Sequence, residues 1–63
     1  MNEQKEKVRS LIKELKAEIR ENRQDIKSYT KTHEFYEAAR LLAINEALEY
    51  VILRMTSGST ALI

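Results

Sequence analysis

Along the first half of the chain, apolar residues recur in alternating steps of four and three. They are Val8, Ile12, Leu15, Ile19, Ile26 and Tyr29, and Asn22 stands in the one gap. That spacing predicts an amphipathic helix with a heptad seam, because residues three and four apart share one helix face. Ile12, Ile19 and Ile26 share one core position; Val8, Leu15, Asn22 and Tyr29 share the other, and Leu11 widens the stripe. The predicted helix covers about 3–29. Asn2 is placed to cap it, and Glu3 and Glu6 suit the positive end of its dipole.

The pattern changes in the second half. Residues 35–55 contain no Gly or Pro and are apolar on nearly every side. A strict seam still stands out at Leu41, Ile44, Leu48, Val51 and Met55, which predicts a second helix over about 33–56. Between the two periods lies the stretch 29–33, where Thr30 and Thr32 cluster and the first period stops. This is the expected turn. Thr32 is its expected N-cap, since Glu34 and Glu37 then fall in or near the following first turn. A single helix running unbroken through Thr30 is the competing reading.

Folding the second helix back across 29–33 pairs the two seams. Ile26 meets Glu37, Asn22 meets Leu41, Ile19 meets Ile44, Leu15 meets Leu48, Ile12 meets Val51 and Val8 meets Met55. The same register brings Asp25 near Arg40. The fold expected is all-α, an antiparallel helical hairpin forming one domain over 1–63. Gly58 is expected to stop the second helix and leave 57–63 as a short C-terminal tail.

This pairing leaves a second apolar face on the second helix, made by Phe35, Ala38, Leu42, Ile52 and Leu53 and interrupted by Asn45 and Glu49. Contiguous apolar patches on soluble chains mark interfaces. A second copy would cover the face and give a homodimeric four-helix bundle. Phe35, Ala38, Leu42, Asn45, Glu49, Ile52 and Leu53 are therefore the expected oligomer or partner interface.

Composition supports the need for a partner. A chain of 63 residues buries too little surface for a robust monomer, and small folds rely on disulfides, metals or oligomerisation. With no Cys and one His, the chain has neither a disulfide nor a multi-histidine metal site. His33 precedes Glu34 rather than following a Glu at the spacing that di-iron bundles use. No cofactor is expected. No Gly-rich loop or nucleophile with a neighbouring base is visible, so the chain reads as non-enzymatic.

The net charge of +1 hides a division. Residues 1–31 hold nine Lys/Arg against six Asp/Glu, a balance of +3; residues 32–63 hold two against four, a balance of −2. Within the first helix Arg9, Lys13, Lys16, Arg20, Arg23 and Lys27 form a basic stripe, and Glu14, Glu18, Glu21 and Asp25 an acidic one. Like charges at such spacings repel, so both stripes call for complementary neighbours. The basic stripe is also a candidate phosphate-facing surface. No apolar run reaches the length of a membrane span and no secretory signal is visible, so no membrane association and a cytoplasmic location are expected.

Together these features predict a small protein–protein interaction module, acting as a regulator, adaptor or inhibitor, with a homodimer or a larger protein as partner. A nucleic-acid-binding bundle is the second reading, and a structural subunit of a larger assembly the third. Asn22, in an otherwise apolar seam, is expected to fix register, so that replacing it with Leu would raise stability while loosening the oligomeric state.

Overall fold

The computed structural model describes the backbone of residues 2–62 and the side chains of residues 3–56. Two helices make up the fold: α1, Asn2–Lys31, and α2, Phe35–Leu62, packed against each other as an antiparallel hairpin. No strand occurs among the described residues. At a rise of about 1.5 Å per residue a helix of this length spans about 45 Å, in keeping with an overall shape of 47 × 17 × 10 Å. The molecule is one layer of two helices.

Both helices run further than their sequence signals indicate. α1 continues two residues past Tyr29, and α2 continues through Gly58 to Leu62. The expected capping by Asn2 and any packing of the 57–63 side chains lie outside the described residues.

The turn occupies 32–34, later than the expected 29–33. Its hydrogen bonds explain why α1 ends there. The Glu34 amide donates to the Tyr29 carbonyl at 2.8 Å and the His33 amide to the Thr30 carbonyl at 3.2 Å. These two bonds, with His33 at φ 62°, make a Schellman ending in which the left-handed residue is His instead of the usual Gly. The Thr32 hydroxyl lies 2.7 Å from the Glu34 carboxylate, 3.1 Å from the Tyr29 carbonyl and 3.3 Å from the Ser28 carbonyl. Its one proton is best donated to the carboxylate, the shortest and charge-assisted contact. Thr32 therefore closes α1 and does not cap α2. The α2 ladder opens instead at the Glu34 carbonyl, which accepts from the Ala38 amide at 3.1 Å.

The turn's position sets the register. Asn22 Nδ2 donates to Asn45 Oδ1 at 2.9 Å, and Asn45 Nδ2 donates to the Ile19 carbonyl at 3.1 Å. Asn22 thus stands opposite Asn45, one helical turn away from the expected partner Leu41. Continuing from that pair, Ile26 is level with Leu41, Ile19 with Leu48, Leu15 with Ile52 and Ile12 with Met55. Burial follows the same line. The α2 residues turned toward α1 are Ala38, Leu41, Asn45, Leu48, Ile52 and Met55, all buried or half-buried. This is also a three-four seam, sharing Leu41, Leu48 and Met55 with the expected one. Ile44 and Val51, expected inside, are 39% and 42% exposed. Arg40 pairs with Glu37 at 3.8 Å, three residues away on its own helix, and not with Asp25.

The core is thin. Among the described residues only Ile19, Ala38 and Asn45 are buried, at 6%, 8% and 2% exposure. Asn45 is the most enclosed of the three, and both ends of its amide are satisfied. No buried side-chain nitrogen or oxygen among the described residues lacks a hydrogen bond, as expected where an unmet polar group costs more than a made one returns.

Candidate interaction surfaces

The hairpin has two broad faces of different chemistry. On one, a shallow groove of about 550 Å³ runs between the helices, lined by Lys16, Ile19, Arg20, Arg23, Glu49, Ile52, Leu53 and Thr56. Arg23 reaches Glu49 across it at 4.0 Å, with both side chains more than half exposed; such a pair adds little to stability. Helical periodicity puts the whole basic stripe on this side: Arg9, Lys13, Lys16, Arg20, Arg23 and Lys27. Phe35, Leu42 and Leu53 of α2 flank it, each at least half exposed. Phe35 also meets His33 edge-on, ring centroids 5.6 Å apart.

The expected interface is thereby divided. Phe35, Leu42, Glu49 and Leu53 are exposed and free to meet another molecule. Ala38 and Asn45 are not, since both are buried against α1, and Ile52 is half-buried at the floor of the groove. The structure assigns these three to the chain's own seam because the Asn22–Asn45 pair rotates α2 toward them.

On the opposite face lie the acidic stripe of α1 and the residues displaced by that rotation. Leu11, Ile44 and Val51 are exposed there. Half-buried Leu15, Leu48 and Met55 lie between them and the seam. By sequence spacing Leu11 only broadens the first seam, and Ile44 and Val51 belong to the interior. The signal that finds them is the presence of one Asn in each helix, which pair only if the turn sits at 32–34.

The charges are mostly unpaired. Among the described residues the ion pairs are Arg23–Glu49 and Arg40–Glu37. No group of three or more His, Cys, Asp or Glu is gathered in a way that could hold a metal ion, among the described residues. No described helix is long and apolar enough to cross a membrane. Comparison with known proteins brings no match: no family model, curated protein or solved structure is significantly similar to the chain.

Proposed function

We propose that this hairpin is a small non-enzymatic protein–protein interaction module, working as half of a homodimeric four-helix bundle. The carrying observation is its surface. The chain exposes 5549 Å², whereas a compact monomer of its mass exposes about 4,200 Å². The excess is about 1,300 Å² per chain, or about 2,600 Å² for two, within the total that obligate homodimers bury. Its shape agrees: the radius of gyration is 14.6 Å, against about 11 Å for a compact domain of this length. Helical folds bury an apolar stripe of each helix between layers, and one layer leaves Leu11, Phe35, Leu42, Ile44, Val51 and Leu53 facing solvent. A regulator or adaptor that acts by covering a surface on another protein needs no more machinery than this.

Sedimentation equilibrium over a wide concentration range tests the reading. The expected mass rises toward twice 7.4 kDa. A mass that stays at one chain up to millimolar concentration removes the dimer. A nucleic-acid-binding bundle is the second reading, favoured by the three stripe cations along the groove wall, Lys16, Arg20 and Arg23. Its signature is salt-sensitive binding to duplex RNA or DNA that Arg20→Glu with Arg23→Glu abolishes. No binding by the unaltered chain at low salt rejects it.

A further inference from the structure

Resting on the homodimer reading, we infer that the second copy docks on the face of Leu11, Ile44 and Val51, with the two-fold axis parallel to the helices so that α1 of each chain lies on α2 of the other. The choice of face follows from its chemistry. On the groove face the exposed apolar groups belong to α2 alone, and a docked copy would press Lys16 and Arg20 into the contact, where cations without partners are costly. On the opposite face apolar groups come from both helices. In the observed register Leu11 lies one residue from the level of Met55, and Leu15 and Val51 are neighbours across the same end, so the patch is continuous.

The orientation follows from charge. A face-to-face two-fold dimer of hairpins has two arrangements. If the axis crosses the helices, α1 lies on α1, and two acidic stripes containing Glu14, Glu18 and Asp25 meet. If it runs along them, α1 lies on α2 of the partner at the same level as on its own α2. Arg40 and Arg54, the two cations of α2, both sit toward this face. Counting from Asn22–Asn45, Glu14 is level with Leu53 and Arg54, and Asp25 is within two residues of Arg40. Among the described residues, neither Glu14, Asp25 nor Arg54 makes an ion pair within its own chain. The pattern supplies opposite charges at matched heights, although Arg40 also reaches Glu37 at 3.8 Å on its own helix, and such complementarity fixes orientation. The cation-lined groove then faces outward on both sides of the bundle.

A charge-exchange experiment tests this. One full-length variant carries Glu14→Arg and Asp25→Arg; the other carries Arg40→Glu and Arg54→Glu. Each alone is expected to lose dimer affinity by about tenfold or more, because like charges then meet. Mixed, they are expected to form a heterodimer at the unaltered chain's affinity, since both contacts are opposite again. Helical circular dichroism of each variant checks that the hairpin persists, and recovery on mixing excludes misfolding as the cause. Two variants that dimerise alone as well as the unaltered chain overturn the proposed face and orientation. If Leu42→Glu then abolishes the dimer while Val51→Glu does not, the module reading stands and the groove face is the interface. An unaltered chain that never dimerises overturns both.

Discussion

At the scale of single residues, two positions decide how the chain folds. His33 holds φ 62° at the end of α1. A left-handed backbone costs about 1–2 kcal/mol for most L-residues, and His is among the less unfavourable. His33→Gly is expected to hold or raise stability by up to about 1 kcal/mol, its relief of strain offset by a freer unfolded chain. His33→Val should lower it, because a β-branched side chain fits this region worst. Thermal melts of the three proteins should rank Gly at or above His, and His above Val. A Val variant as stable as the parent would show that the turn does not hold this conformation. The second position is the Asn22–Asn45 pair. Asn45 is 2% exposed, so Asn22→Leu leaves its buried carbonyl oxygen without a donor, at a cost of about 1–3 kcal/mol. The single change should therefore destabilise, the reverse of what its place in an apolar seam suggests. Changing Asn22 and Asn45 together to Leu removes both polar groups and should recover stability while weakening the preference for this register. Denaturant titrations read both effects. A double variant less stable than either single one would show that the amides add net stability instead of choosing the register.

At the scale of helices, the sequence carried the two elements and the antiparallel return, because four-three spacing in α1 is unambiguous and the turn region breaks it. The register was not legible by the same means. α2 is apolar nearly all round, so two seams through Leu41, Leu48 and Met55 satisfy the heptad rule equally well. One adds Ile44 and Val51, the other Ala38, Asn45 and Ile52. Apolar content favours the first; hydrogen bonding decides for the second. A turn two residues earlier shifts every pairing by four and sets the two Asn one helical turn apart. The same rotation divides the candidate interface: Ala38, Asn45 and Ile52 turn to the chain's own seam, while Phe35, Leu42, Glu49 and Leu53 stay exposed. Cysteine pairs test the register cleanly in a chain with no cysteine of its own. Ile26→Cys with Leu41→Cys should close an intrachain disulfide rapidly under mild oxidation. Ile26→Cys with Glu37→Cys should not, because one extra helical turn separates the residues by about 5.4 Å. Faster closure of the second pair on a non-reducing gel would restore the other register.

At the scale of the whole molecule, stability and association are expected to be one property. Only Ile19 and Ala38 are buried apolar side chains among the described residues, and full burial of such groups stabilises by about 1.5–3 kcal/mol for the larger ones. Ordering a backbone costs about 1–2 kcal/mol for every residue fixed, so a single layer gains too little to stand firmly alone. In the proposed dimer a second copy would cover apolar groups on both helices and add to the burial without fixing new backbone. Folding linked to dimerisation makes the melting temperature depend on concentration, because mass action favours the associated state. Each tenfold increase in concentration adds about 1.4 kcal/mol per dimer, or about 0.7 kcal/mol per chain, and at about 4–8 °C per kcal/mol for a domain of this size that moves the midpoint by about 3–6 °C. Melts at ~10 μM, ~100 μM and ~1 mM should therefore shift upward in even steps, a series that follows from the logarithm of concentration. A cooperative transition at one temperature throughout would show that the thin core suffices. The exposed face of Leu11, Ile44 and Val51 would then be free for a different protein, because no second copy would be needed to stabilise the fold.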